Sequence, residues 1–150
     1  MWTTEQIVIE TNAIEGIKRE PTIAEITEHD RFTALKEITI EELQRFAYIY
    51  QPDAVLRNKA GLDVYVGEHI PPKGGHLVPH YLQNLLIDAH KGHKGIKAWR
   101  IHHEYEYLHP FTDCNGRTGR ALWHWMMGDA GRQLGFLHLY YYQTLRYLQR

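Results

Sequence analysis

The spacing of apolar residues along the chain predicts a mainly α-helical domain. Apolar positions recur at intervals of three and four residues, which is typical of amphipathic helices. The stretches concerned are about 4–14, 40–50, 80–91, 96–108 and 115–128. Apolar residues between 23 and 35 indicate one or two further short helices. Thr39 and Glu42 have capping-box spacing just before the helix expected at 40–50.

Two of the expected helices concern the core. The stretch 96–108 carries apolar or aromatic residues on more than one face, which predicts a central, well-buried helix. A last helix is expected from about Phe136 or Leu139 to the C-terminus. The apolar residues that share one of its faces are Leu139, Tyr142, Leu145 and Leu148.

The hydrophobic period changes between residues 54 and 70. Apolar residues alternate with other side chains, in the order Leu62, Asp63, Val64, Tyr65 and Val66. A β-prone stretch at 55–57 precedes them, and turn-forming residues occupy 58–61. This pattern predicts a β-hairpin. Pro71 and Pro72 follow as an irregular loop, because proline cannot donate to a β-ladder.

Composition and charge limit the class of protein to which the chain can belong. The chain has 150 residues, 43% of them apolar and 23% charged, which favours one soluble domain over 1–150. Its net charge of −1 gives no field that would attract nucleic acid or an anionic membrane. A single cysteine, Cys114, excludes an internal disulfide and fits a reducing compartment. Because the N-terminus also lacks signal-peptide features, we expect a cytoplasmic protein with neither nucleic-acid nor membrane partners.

The residues that carry chemistry are concentrated in HPFTDCNGRTGR, at 109–120. A buried helix ends near His109, and a new helix begins at about Asn115. The unpaired N–H groups at a helix start bind anions, and guanidinium groups three residues apart, here Arg117 and Arg120, suit phosphate oxygens. Asp113 adds a hard oxygen ligand of the kind that Mg²⁺ prefers. The segment thus combines a base, a metal ligand and an anion site, as phosphoryl chemistry requires.

The order of these residues resembles the signature of the Fic domain family, H-P-F-x-D-G-N-G-R-x-x-R. Cys114 is the one departure among the defined positions, since the family usually has Gly there. The resemblance covers most of the chain, from about Thr11 to the last expected helix. It implies a Fic-type helical domain with a small β-hairpin flap.

The resemblance also implies an activity, which is transfer of AMP from ATP to a hydroxyl side chain of a target protein, with Mg²⁺. His109 would be the catalytic base, and Asp113 would hold Mg²⁺. The nucleotide-binding residues would be Asn115, Gly116, Arg117, Gly119 and Arg120. Family members that transfer phosphate have Lys where Gly116 stands, so Gly116 favours nucleotidyl transfer.

Two further segments take their roles from the same resemblance. The flap, within 54–70, would dock an extended segment of the target protein by strand addition, with residues 62–66 as the docking strand. The sequence TNAIEG resembles the family's inhibitory motif at Thr11, Glu15 and Gly16. Glu15 would pair with Arg120 in place of the ATP γ-phosphate. Because this inhibitor belongs to the same chain, no separate antitoxin is required; a homodimer could stabilise the inhibited form.

Other functions remain open at the level of sequence. His90, His93, His102, His103 and Glu104 invite a metal-hydrolase interpretation, although their spacing matches no common zinc pattern. Glu15 could instead position water for removal of AMP from a modified protein. Other Fic-type phosphate-ester transfer is a further alternative.

Cys114 adds its own alternatives. It could strain the loop if its φ is positive, which would leave a catalytically impaired module that binds nucleotide or peptide. Thiols near a helix N-terminus often have a lowered pKa, so redox control is a second interpretation.

Overall fold

The computed structural model describes residues 1–91 and 96–134. Its helices are α1 (Thr4–Ile14), α2 (Ile23–Thr33), α3 (Ile40–Tyr50), α4 (Leu77–Ala89), α5 (Ile96–Leu108), α6 (Asn115–Met127) and α7 (Asp129–Leu134). The prediction of a mainly α-helical fold is confirmed. The helix expected from Phe136 or Leu139 onwards lies outside the described residues.

Threonine caps explain where the first three helices begin. The hydroxyls of Thr3 and Thr22 each accept a hydrogen bond from the N–H three residues on. The side chains of Gln6 and Glu25 in turn accept from the N–H groups of the two threonines, which completes two capping boxes. The box predicted at Thr39 is only half formed. Its hydroxyl accepts the Glu42 N–H, but the Glu42 carboxylate accepts from Arg31 instead, at 2.5 Å.

The central helix is α6, whereas the sequence had favoured 96–108. Helix α6 packs against α1, α2, α3 and α5 and is buried on nearly every face, from Arg117 to Trp123 and beyond. Helix α5 buries Ile101 and Tyr105 against it but exposes Tyr107. Glycine and other small residues recur along α6, so the neighbouring helices can approach it closely. Because the sequence of α6 is largely polar, its apolar pattern did not predict this central position.

Two boundaries differ from expectation. Helix α4 begins at Leu77, two residues before Pro79, because a proline in the first turn lacks only an N–H that would be unpaired there. Helix α7 was not predicted, and it follows α6 after a break at Gly128, where φ is 58°.

Within 1–91 and 96–134, no helix combines the length and apolarity that crossing a membrane requires.

The predicted β-hairpin is wrong. In the described chain, residues 55–57 do not pair with 62–66; Leu56 instead forms an isolated antiparallel bridge with Phe111, and Val66 forms one with His69. The reason is competition for main-chain groups. The N–H of Arg57 donates to Pro110 O at 2.9 Å, and Val55 O accepts the Thr112 N–H at 2.9 Å. The segment expected as the first strand is thus bonded to the loop after α5.

Candidate active site

The loop between α5 and α6 is short and tightly closed. Phe111 is buried, and both of its main-chain groups bond to the Asn115 side chain, at 2.9 Å and 2.8 Å. His109 and Cys114 have positive φ values of 50° and 67°. Left-handed backbone costs a non-glycine residue about 1–2 kcal/mol, so the surrounding contacts hold the loop in a strained form. Asn115, expected in the anion site, closes the loop through its side chain.

His109 is arranged as a base. Its Nδ1 lies 2.7 Å from Glu106 O and, in the neutral tautomer that carries the Nδ1 proton, donates a hydrogen bond to that carbonyl. That bond leaves Nε2 unprotonated. Burial lowers the pKa of the imidazole below its ordinary value, so the neutral form prevails at pH 7. The side chain predicted to take a proton therefore has both the tautomer and the charge state that the task requires.

The first turn of α6 has the unpaired amides and the open space that an anion site requires. Thr118 is the first residue whose N–H bonds within the helix, to Cys114 O at 3.0 Å. The preceding amides, on 115–117, point out of the helix start. A Cβ on Gly116 would collide with the Glu15 carboxylate and lie 2.9 Å from Arg120 Nη1. The absent side chain is therefore what lets an anionic group reach this turn.

Arg120 is joined to α1, as the inhibitory motif implied. Its guanidinium lies 2.6 Å from Glu15 Oε1, and its Nε donates to Thr11 Oγ1 at 2.7 Å. Arg120 is 1% exposed, and the Glu15 side chain 31%. Gly16, with φ of 77°, ends α1 just beyond Glu15, in a conformation that favours glycine. All three motif positions thus have a physical role in this contact.

Arg117 is buried, whereas Asp113 is exposed. The Arg117 guanidinium is buried and donates to Tyr50 O and Gln51 Oε1 at the end of α3, at 3.4 Å and 3.3 Å. Arg117 and Arg120 therefore contact different helices. Asp113 is exposed, and its Oδ1 accepts the Cys114 N–H at 2.6 Å. Its other oxygen is left for a hard cation, so this carboxylate fits Mg²⁺.

A half-buried glutamate beside these residues was not predicted. Glu106 lies one turn before His109 on α5, and its Oε1 is buried without a hydrogen-bond partner. Burial raises its pKa to about 8. Gly119 makes room for it, since a Cβ there would collide with Glu106 Oε1 and lie 2.9 Å from Tyr105 Cδ1. Gly119, which was expected to bind nucleotide, lies at this contact between α5 and α6. No sequence spacing predicts that a glycine on one helix makes room for a glutamate on the other.

Comparison with known proteins identifies the family. The model of the Fic/DOC family matches residues 26–127 of the 150 in the chain. The chain belongs to the Fic/DOC family. The matched region includes the whole of 109–120 and the segment 54–70, but not α1 with Glu15, so the role of α1 rests on the contact described above.

Curated relatives agree over a shorter region. The chain is 38% identical over 72 residues to "Protein adenylyltransferase Fic" of Drosophila melanogaster, which is 45% of this chain and 15% of that protein. It is 36% identical over 72 residues to the protein of that name from Drosophila virilis, with the same coverage. The Culex quinquefasciatus protein is 35% identical over 78 residues, 45% of this chain and 14% of its own length. The Fic/DOC chain therefore spans about a seventh of the relatives it matches.

Cys114, the departure from the Fic signature, is buried, and burial raises the pKa of its thiol to about 12. Desolvation outweighs the lowering effects of Arg117 and Arg120, so the lowered pKa expected for redox control is wrong. The positive φ at Cys114 shows that the strain anticipated for a non-glycine residue is real.

The proposed flap is an irregular segment of the Fic/DOC fold. Tyr65 is 76% exposed and Val66 38%. The segment is fixed at both ends, because Arg57 donates to Leu62 O at 3.1 Å and to Pro72 O at 2.8 Å. The Gly74 N–H also donates to Asp63 Oδ1 at 2.8 Å. Val64 is half-buried. An exposed stretch between two fixed ends suits a surface that receives an extended peptide.

The histidines form no metal centre in the described chain. Across 1–91 and 96–134, no three His, Cys, Asp or Glu side chains are grouped so as to hold a metal ion. His102 is buried, and its Nδ1 lies 3.0 Å from Gly119 O. His90 Nε2 accepts the Ile38 N–H at 3.0 Å. These side chains connect helices, so the metal-hydrolase interpretation has no supporting cluster here.

Proposed function

We propose that the chain is a self-inhibited protein adenylyltransferase that transfers AMP from ATP to a hydroxyl side chain of a target protein. The observation that carries this proposal is the contact of Glu15 with both Arg120 and the Gly116 face of α6. A carboxylate there occupies the place where the helix start and a buried guanidinium would receive phosphate. The names of the relatives and the family support the same chemistry.

The chemistry assigns one task to each group. His109 Nε2 takes the proton of the target hydroxyl, whose oxygen attacks the α-phosphorus. The bond from that phosphorus to the β-phosphate oxygen breaks, and pyrophosphate leaves with the electron pair. The amides of the first α6 turn and Arg120 receive the phosphate charge. Asp113 would hold Mg²⁺, which neutralises phosphate charge when bound.

Regulation follows from competition for one guanidinium. While Glu15 pairs with Arg120, the γ-phosphate lacks its cationic partner, and the α-phosphate is not held in line with the hydroxyl. We expect ATP to bind in a form that does not react. The inhibitor is part of the same chain, so this function needs no separate antitoxin. A homodimer that stabilises the inhibited form is also part of the proposal.

The target would bind the exposed main chain of 62–66. Strand addition uses main-chain hydrogen bonds and tolerates different side chains. The bridge between Val66 and His69 leaves most of this segment unpaired within the described chain. The modified hydroxyl would then be presented next to His109.

Intact-protein mass spectrometry tests the proposal. Wild type, Glu15→Gly and the double variant Glu15→Gly/His109→Ala are incubated with ATP and Mg²⁺. We expect an AMP adduct in Glu15→Gly that is lost in the double variant. An added phosphate would move the function to phosphate transfer, and loss of AMP from a pre-modified protein would move it to AMP removal. ATP binding without any transfer, in this protein and in added candidate targets, would favour a binding module.

A further inference from the structure

Arg57 is a fully buried arginine whose side-chain hydrogen bonds all go to main-chain carbonyls. Its Nε donates to His109 O at 2.6 Å, and its Nη2 donates to Leu108 O at 2.9 Å. Its Nη1 donates to Leu62 O at 3.1 Å and to Pro72 O at 2.8 Å. One guanidinium thus joins the end of α5, the proposed base and both ends of the segment 62–72.

The main chain of Arg57 extends the same network. Its N–H donates to Pro110 O at 2.9 Å, and its carbonyl accepts the Gly75 N–H at 3.0 Å. The carbonyls at the C-terminus of α5 carry partial negative charge, which favours a cation there. The carbonyl oxygens take the place of the water that a buried guanidinium loses. Because the guanidinium donates in fixed directions, the segments that carry these carbonyls must keep one position relative to each other.

We propose that Arg57 is a positioning residue that couples the segment 62–72, which contains the proposed docking residues 62–66, to His109. The inference rests on the proposed function, because it concerns how the docked hydroxyl and the base are brought together. His109 has a positive φ, which is strained for a non-glycine residue, and the bond from Arg57 Nε to its carbonyl helps to hold that conformation. A displacement of about 1 Å at a reacting group can reduce a rate by ~10²-fold.

Arg57 also acts on the charge of the base. Burial is the main cause of the lowered pKa of His109, and the hydrogen bond to Glu106 O acts against it. Coulombic interactions with Arg57 and His69 lower the pKa further, while Glu15 raises it. Arg57 therefore favours the neutral imidazole. A charge effect and a geometric effect can be separated, because Lys keeps the charge but loses the planar fork.

The first experiment is an NMR titration of His109 in Arg57→Gln and Arg57→Lys, with no nucleotide or target present. Loss of a signal in His109→Asn assigns the resonance, and Arg45→Gln, at an exposed arginine on α3, is the matched control. We expect the pKa of His109 to rise in Arg57→Gln and to match wild type in Arg57→Lys and Arg45→Gln. A general loss of packing would not distinguish the two Arg57 variants in this way.

The second experiment measures amide exchange at Gly75 and Thr112, whose N–H groups bond across the network. Loss of the fork should speed exchange at both sites by about tenfold in both Arg57 variants, and Arg45→Gln should leave it unchanged. In the Glu15→Gly background, we expect Arg57→Gln to slow AMP transfer by ~10²-fold with ATP affinity within about twofold.

Two results would overturn the inference. The first is a folded Arg57→Gln with wild-type His109 titration and wild-type exchange. The second, which decides the matter if Arg57→Gln does not fold, is an Arg57→Lys variant with unchanged exchange. If titration and exchange change as expected but Glu15→Gly transfers no AMP, the proposed function fails while the coupling by Arg57 stands.

Discussion

The carboxylate of Glu15 lies 2.6 Å from the guanidinium of Arg120, which is 105 positions away in the chain. Arg120 is buried, and Thr11 holds it from the same helix through its hydroxyl and its carbonyl. The N-terminal helix thus places one acidic side chain on a buried cation. Under the proposed function phosphate would use the same cation, so this one contact would link inhibition to nucleotide binding.

Neutralising Glu15 should tighten ATP binding. A charge-assisted hydrogen bond is worth about 1.5–3 kcal/mol, and the partial exposure of Glu15 reduces this, so we expect Glu15→Gln to lower the Kd for ATP and Mg²⁺ by about tenfold. Isothermal titration calorimetry measures it. Glu5→Gln, at an exposed position on the same helix, is the control and should bind like wild type. Equal affinities in all three proteins would contradict a competing Glu15.

Cys114 should be unreactive in the folded protein. Its thiol is buried, and its pKa of about 12 leaves almost no thiolate at pH 8. Because it is the single cysteine of the chain, iodoacetamide labelling followed by mass spectrometry reports on it alone. We expect labelling at pH 8 to be at least ~10²-fold slower in buffer than in a denaturing urea concentration. Comparable rates in the two conditions would restore redox control as an interpretation.

How much the sequence could reveal depends on the range of each interaction. The helices and the segment 109–120 were predictable because their signals are local, such as apolar spacings of three and four residues and the order of residues from His109 to Arg120. The hairpin failed because alternation shows that a segment is extended but not which segment it pairs with. Leu56 pairs with Phe111, 55 positions on, and no pattern within residues 54–70 contains that information.

The missed site residues have the same explanation. Arg57 and Glu106 look like ordinary charged residues in the sequence. The burial of Arg57 and of Glu106 Oε1 depends on helices and loops that meet only in the folded chain. A weak signal did exist for Glu106, since it follows the period that places His102 and Tyr105 on the buried side of α5. The Gly119 that accommodates it was assigned to nucleotide instead.

Glu106 and Gly119 should be energetically coupled. In Gly119→Ala the new Cβ would collide with the Glu106 carboxyl, and overpacking of this kind costs about 1–3 kcal/mol, more than the ~1 kcal/mol gained from helix propensity. When Glu106→Ala is added to Gly119→Ala, we expect about 1 kcal/mol of the lost stability to return. The remaining loss would come from the contact of the new Cβ with Tyr105. Urea unfolding of both single variants and the double variant gives the coupling energy. Strictly additive effects would show that the two residues do not share this space.

Glu106 should also make stability depend on pH in a direction opposite to that of the buried histidines. Its pKa rises from an ordinary 4.5 to about 8 in the folded chain, so between these values the folded state retains a proton that the unfolded state has released. Its contribution is therefore fully present below about pH 4.5 and is lost as pH rises towards 8.

The histidines allow the two effects to be separated. Burial lowers the pKa of His29 to about 4 and of His102 to about 3 in the folded chain. Below their ordinary pKa of 6.5 the unfolded chain therefore binds more protons than the folded chain, and the free energy of unfolding rises with pH in that range. Between about pH 6.5 and 8, we expect the unfolding free energy of wild type to fall relative to Glu106→Gln. Urea unfolding at half-unit pH steps measures this difference. Parallel curves for the two proteins above pH 6.5 would mean that Glu106 is ionised in the folded state.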